Sequence, residues 1–381
     1  MTFAECAARE AGADWRGLHW TGPKPAAGLP AAARRARHRL IAEAARAAGA
    51  RVILFAHTAD DIAEAEVMRA EGSTLGRLRD WSPSPVWPEG RGLMLLRPML
   101  TVGRLEIRTG LAGQGASWID DPANVDPRFA RSRARQMLTH PSEGGGGIRP
   151  AIAVSRKNDG RNAERSILLS TGEGVLKLHR TVDGPVLAAA LVSAGGGDRL
   201  PRGDRLDTLI ARLRSGADFT SVLCGTRLEA AGKAVFLMRE AGEFTRRPRL
   251  PLSLFPGVEA VWDGRWAVTV ETPGWSAVPA AGRMAALSGP DRAVLKALPP
   301  AARGSIPVLI RNDGTAPVLA ERVGRATTLV DQRLALALDR MTHERDLGGT
   351  IHGALPWNPL FSEADITDDR ALWRTQGPRR E

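Results

Sequence analysis

Along the first 140 residues the apolar positions switch repeatedly between a helical period and a strand period. Residues 30–48, PAAARRARHRLIAEAARAA, carry apolar positions at helical spacing, with Pro30 suited to a first turn and Gly49 to the stop. Residues 51–56 are short, apolar and β-branched, which predicts a buried parallel strand. Residues 59–70 return to the helical period. GLMLLRPML at 92–100 predicts a strand that ends at Pro98, and VGRLEIRTGLAGQG a helix with glycine stops. SWI at 117–119 reads as a short strand, and RFARSRARQML as a basic helix. This alternation predicts an α/β fold, a parallel sheet with flanking helices, over residues 1–139.

Beyond it, HPSEGGGGIRP at 140–150 has a linker composition. From 151 to about 215 the pattern is mostly helical, and 219–240 then alternates as strands do. A mostly helical middle domain, helical or α+β over 151–250, is therefore expected. A smaller α+β part should occupy 251–381, with a β-hairpin at 258–270 turning at Asp263-Gly264. The run PVLAAALVSAGGGDRL at 185–200 resembles a strand followed by a phosphate loop. Pro201 opposes the helix such a loop needs, so the run reads as a helix ending on its glycines.

Composition narrows the partners. A length of 381 residues predicts two or three domains, and 43% hydrophobic residues suffice for their cores. The two cysteines, Cys6 and Cys224, are too far apart for a C-x-x-C site and too few for a disulfide framework. The first residues have no basic and apolar halves of a leader. No apolar run approaches the roughly 18 residues of a membrane span, so no membrane partner and a cytoplasmic location are expected. The 53 Lys+Arg against 42 Asp+Glu give a net charge of +11, which suits a polyanion such as RNA.

The chemistry concentrates in AHTADDIAEAE, residues 56–66, at the end of the predicted buried strand. On a helix Asp60 and Glu64 are four apart and Asp61 and Glu64 three apart, so all three line one side. His57 stands at the strand-to-helix turn, the edge where open α/β sheets bind ligands. Capping explains one of these acids; it does not explain the group. Asp60 and Asp61 also suit a magnesium ion bridging phosphates. Arg34 and Arg37 share a side of their helix and are candidates for phosphate. Arg35, Arg39, Glu43 and Arg46 read as a solvated face. Arg128, Arg131 and Arg135 share a face of the basic helix, with Arg133 beside them, either solvated or against phosphate.

Four segments resemble the bacterial tRNA(Ile)-lysidine synthases, ligases of the N-type ATP pyrophosphatase class with a Rossmann-like domain. They are Ala32-Ala33-Arg34-Arg35-Ala36-Arg37-His38, His57-Thr58-Ala59-Asp60-Asp61-Ile62-Ala63-Glu64-Ala65, Leu95-Leu96-Arg97-Pro98-Met99, and the stretch from Asp121 to Arg135. SRKNDGRNAERS at 155–166 and WDGRW at 262–266 resemble later parts of the family. His38, Ala65 and Ser132 depart from the family pattern, as does EGSTLG at 71–76. The family's S-G-G-x-D-S phosphate loop does not precede residue 30, so a true start upstream of Met1 is expected.

The resemblance implies that ATP adenylates C2 of the wobble cytidine in the isoleucine tRNA with a CAU anticodon, and that free L-lysine then displaces AMP. It implies ATP and Mg2+ as cofactors, with Asp60, Asp61, Glu64 and His57 as catalytic or amine-receiving residues. Arg34, Arg37, Arg128, Arg131 and Arg135 would grip phosphate and RNA. A homodimer is left open. The alternatives are an inactive, truncated paralogue that binds tRNA without using ATP, and a tRNA thiolase, which the missing C-x-x-C disfavours.

Overall fold

The computed structural model describes residues 2–72, 78–120, 126–128, 130–139, 167–170, 173–197, 200–201 and 203–338. The described residues up to Thr139 form one compact unit and those from Ile167 onward a second.

In the first unit, α1 (Phe3–Glu10) starts at a capping box. The Glu5 amide donates to Thr2 Oγ1 and the Thr2 amide to Glu5 Oε2, both at 3.2 Å. Then come α2 (Leu29–Ala47), β1 (Val52–Leu54), α3 (Ala59–Ala70), β2 (Trp81–Pro83), β3 (Met94–Leu96), α4 (Arg104–Gly113) and α5 (Ala130–Thr139). α2, α3 and α4 match the predicted segments, because their helical periods are clear; α5 begins two residues later than expected, and α1 has no predicted counterpart. The sheet order is β1-β3-β2. β1 runs parallel to β3, Val52 opposite Met94 and Leu54 opposite Leu96, and β2 lies antiparallel on the other side of β3. Ala42 of α2, Val86 and Leu93 form a small core, with Ala45 and Ile53 against it.

Because β1 and β3 are parallel, the turns that follow them open on one edge. The Phe55 amide donates to the Leu96 carbonyl (2.9 Å) and the Ala59 amide to the Val102 carbonyl (3.0 Å). That shared edge positions the site. SWI at 117–119 forms no strand: Trp118 and Ile119 are exposed. Three residues with no neighbouring strand gain no ladder hydrogen bonds, and the Trp118 ring lies under the Arg108 guanidinium instead, 5.5 Å from its centroid.

The second unit holds more strand than its helical pattern suggests. β4 (Ile167–Ser170) and β5 (Leu176–His179) precede α6 (Gly184–Gly195) and α7 (Gly203–Arg214). β6 (Phe219–Leu223), β7 (Thr226–Ala231) and β8 (Ala234–Arg239) complete a five-stranded antiparallel sheet, order β4-β5-β8-β7-β6. The short α8 (Gly242–Arg246) leads into β9 (Leu252–Ser253), β10 (Ala260–Trp262), β11 (Trp266–Val270) and β12 (Ser276–Pro279). α9 (Gly289–Lys296), α10 (Pro300–Arg303), β13 (Pro307–Ile310), β14 (Val318–Leu319), β15 (Gly324–Thr328) and α11 (Val330–Ala337) follow. The late strands pair as β10-β11-β15 and β14-β13-β12-β9 around a core that includes Trp262, Trp266, Trp275 and Val308. α11 then returns to the earlier sheet, where Val330 and Leu334 pack with Leu187 and Leu191 of α6.

The predicted hairpin turns at Asp263-Gly264, with φ of 52° and 69°, and Arg265 N donates to the Trp262 carbonyl at 3.1 Å. The glycine run at 195–197 ends a helix, as expected, and has a packing task besides. A Cβ on Gly195 would overlap the Cys224 carbonyl oxygen, and one on Gly196, at φ 69°, the Asp263 carbonyl oxygen. The end of α6 is thus wedged against two hairpin turns, an approach only glycine allows. The linker at 140–150, SRKNDGRNAERS, most of EGSTLG, the stretch 121–125 and everything beyond 338 lie outside the described residues.

Gly196→Ala is expected to destabilise the second unit by at least about 2 kcal/mol, from left-handed strain alone, visible as a lowered unfolding temperature. Gly197→Ala, where an added Cβ meets nothing within 4 Å, should leave that temperature unchanged.

Candidate functional site

The turn after β1 hands the chain to α3 through Thr58. Its amide and its hydroxyl both donate to Asp61 Oδ2, at 2.6 and 3.0 Å. Asp61 is buried, and its Oδ1 takes the Arg131 guanidinium of α5, with Arg104 Nη2 at 3.8 Å. One helical turn on, Glu64 is almost wholly buried, with 1% of its side chain exposed. Its Oε2 accepts from Arg131 Nε (2.7 Å); its Oε1 accepts from Arg135 Nε (2.8 Å) and faces Arg104 Nη1 at 3.4 Å. Two carboxylates from one face of α3 thus meet three guanidiniums from α4 and α5. Burying Glu64 is tolerable because charge-assisted bonds satisfy both its oxygens.

Asp60 points elsewhere. Its Oδ2 accepts from the Arg104 amide at 2.7 Å, at the start of α4. The expected grouping of Asp60 with Asp61 and Glu64 therefore separates by partner: Asp60 holds a helix N-terminus, and the other two hold arginines. Among the described residues no three His, Cys, Asp or Glu side chains gather as a cation cage. With Asp61 accepting from Thr58 and Arg131, and Asp60 from α4, these residues do not fit the magnesium site expected of them.

His57 sits on the same edge. Its Nδ1 accepts from Arg97 Nε at 3.2 Å, and its ring stacks on Phe55 (5.5 Å between centroids, 6° between planes). His38 of α2 packs on the other ring neighbour, 5.3 Å from Phe55. Burial, together with the cations of Arg34 and Arg97, pushes the His38 pKa down to about 4. Burial likewise lowers that of His57, opposed by the Asp61 carboxylate and aided by Arg97, Arg131 and Arg34. Both imidazoles are neutral at pH 7.

Arg34 and Arg37 are exposed on α2, and neither is paired with a carboxylate among the described residues. Although the residue as a whole is exposed, partial burial of the Arg34 guanidinium lowers its pKa, as do the charges of Arg131 and Arg37, which marks a local excess of cations. Of the residues read as a solvated face, Arg39 pairs loosely with Glu43 (3.8 Å), while Arg46 Nη1 donates to the Arg91 carbonyl at 2.5 Å. Arg128 departs from its expected place. It precedes α5 and closes on Asp126, Nε to Oδ2 at 2.9 Å, so it does not share the face of Arg131 and Arg135. Arg133, the fourth arginine of that stretch, donates to the Pro127 carbonyl at 2.9 Å.

Sequence reasoning missed Arg97 and Arg104. Arg97 is buried at the end of β3, its Nη1 donating to the Arg79 carbonyl (2.7 Å) and Ser82 Oγ (3.1 Å). A lone arginine inside the apolar run LMLLRPML was the available signal, since such a charge must be paired. Arg104 carried no comparable signal.

A parallel β1–β3 pair whose carboxyl edge gathers cations and two buried acids suits a nucleotide-using α/β domain, and residues 14–141 match the family model described as PP-loop domain. The tRNA(Ile)-lysidine synthase of Caulobacter vibrioides is 46% identical over 346 residues, covering 88% of this chain and 81% of that protein. The proteins of the same name from Mesorhizobium japonicum and Rhizobium meliloti are 35% and 32% identical, over 60% and 61% of their lengths. The chain belongs to the tRNA(Ile)-lysidine synthase family.

Asp60→Ala is expected to loosen the start of α4, costing about 1 kcal/mol as lost N-terminal capping does, with faster amide exchange at Arg104 as the measurement.

Proposed function

We propose that this chain is a ligase of tRNA modification that joins L-lysine to C2 of the wobble cytidine in the isoleucine tRNA with a CAU anticodon. In the first half-reaction the C2 oxygen attacks the α-phosphorus of ATP and pyrophosphate leaves. In the second the lysine ε-ammonium gives up a proton to a carboxylate of the Asp61–Glu64 pair, the free amine attacks C2, a further proton passes to water, and AMP departs with that oxygen. The observation that carries this reading is the buried Asp61–Glu64 pair, set on the carboxyl edge of β1 among cations, in a chain of this family.

In this reading Asp61 and Glu64 receive the lysine ammonium after exchanging it for the guanidiniums of Arg131 and Arg135. Both partners are cations, so the exchange keeps each carboxylate paired and adds no uncompensated buried charge. Arg34 and Arg37, which pair with no carboxylate among the described residues, take phosphate oxygens of ATP or of the anticodon backbone. Arg128, tied to its own Asp126, contributes at most to the RNA periphery. Asp60 serves by fixing α4, and through it the Arg104 guanidinium. No step is assigned to a magnesium ion, because among the described residues no three His, Cys, Asp or Glu side chains gather to hold one.

A second reading, a paralogue that binds tRNA without using ATP, draws on the same saturation of Asp61 and Glu64 by arginines. One assay separates the two. With ATP, labelled lysine and the CAU tRNA, nucleoside analysis should find lysidine with the wild type, and Asp61→Asn should reduce it at least about 100-fold while tRNA binding persists. Binding with no lysidine from the wild type would support the paralogue instead.

A further inference from the structure

The Arg97–His57 contact has a chemical consequence set by the donor alone. A guanidinium carries N–H donors and no acceptor, so the ring nitrogen facing Arg97 Nε must present a lone pair. That nitrogen is Nδ1, at 3.2 Å. The proton of the neutral ring therefore resides on Nε2. Arg97 cannot swing away to accommodate the other tautomer. Its second arm is held by the Arg79 carbonyl and Ser82 Oγ, its own amide donates to the Asp80 carbonyl at 2.8 Å, and its guanidinium lies 5.9 Å from the Phe55 ring centroid. The His57 ring is held on its face by Phe55 as well.

We infer that Arg97 is a positioning residue that locks His57 as the neutral Nε2–H tautomer, so that His57 serves the site as a hydrogen-bond donor to a substrate oxygen and not as a general base. The role rests on the reading that the edge around His57 receives substrate; the tautomer itself does not. The charged groups around the ring act in the same direction with one exception. Arg97 from the end of β3, Arg131 of α5 and Arg34 of α2 all oppose a charged imidazole, and so does burial; among the described residues Asp61 of α3 alone favours it. His38, the other imidazole of the α2 side, is neutral as well and adds no charge at pH 7. A donor that stays neutral can approach a phosphate or carbonyl oxygen without adding a proton that must later be returned.

The test is a two-bond 15N–1H correlation spectrum of the full chain without substrates, recorded across pH. The His57 signals, among seven histidines, are assigned by their loss in His57→Gln. The wild type should show a protonated Nε2 and an unprotonated Nδ1, and His57 should become doubly protonated only below the ordinary histidine value of about 6.5. Arg97→Met should let both neutral tautomers appear and raise the midpoint, because a cation is lost while Asp61 stays. Arg97→Lys, which keeps a cationic donor, should restore the wild-type pattern. A proton on Nδ1 in the wild type, or an Arg97→Met spectrum with unchanged tautomer and midpoint, overturns the inference. If Arg97→Met does not fold, the wild-type and Arg97→Lys spectra decide it, since a proton on Nδ1 in either is contradictory. Failure to form lysidine bears on the proposed function and leaves these spectra unaffected.

Discussion

The arrangement of the first unit depends on the burial of one carboxylate. Glu64 is nearly excluded from water, and an isolated buried carboxylate would cost several kcal/mol. Arg131, Arg135 and Arg104 remove that cost by supplying donors to both oxygens. The dependence runs the other way too. Among the α5 side chains whose burial is described, only Ser132 and Ala134 are buried, and both are small. At about 25 cal/mol per Å2 of apolar surface, such residues hold a helix weakly. α5 therefore lies against α3 chiefly because its arginines answer the acids of α3. The same contacts set Asp61 and Glu64 side by side against the α5 arginines.

Around this pairing the site has a division of labour that follows from the sheet. Parallel pairing of β1 with β3 brings the turn at 55–58 beside the turn at 97–103, so residues some 40 positions apart become neighbours. The first turn supplies His57 and the cap of α3, and the second supplies Arg97 and the start of α4. Arg97 fixes a ring, and Asp60 fixes a helix. Neither contact needs a ligand to exist, which is how a site is pre-organised before substrate arrives.

Much of this was legible in the sequence, and the rest was hidden for identifiable reasons. The span of α3 follows from its helical period and from Gly72 just after it, so the shared side of Asp61 and Glu64 was legible. Spacing on a helix says which residues share a side; it does not say what opposes them. Asp60 shares a side with Glu64, yet the Arg104 amide opposes one and guanidiniums the other. Arg128 was placed on a helix face by counting, but the helix begins after it, at Ala130. β2 went unread because Trp81-Ser82-Pro83 is short and ends in a proline, tolerated only because this strand is a sheet edge. SWI was overread for the opposite reason: it has strand composition and no strand to pair with. In the second unit the strands 167–170 and 176–179 lie beside a helix so apolar that its pattern dominated the segment.

The acids of α3 hold α5 in place. A double-mutant cycle of Glu64→Gln and Arg131→Gln, read from hydrogen exchange of the α5 amides, tests it directly. Because Glu64 is buried while Arg131 is partly exposed, a favourable coupling of about 1 kcal/mol is expected, with both single variants speeding exchange along α5. Additive effects with a coupling near zero would mean that α5 is held by something other than this pair.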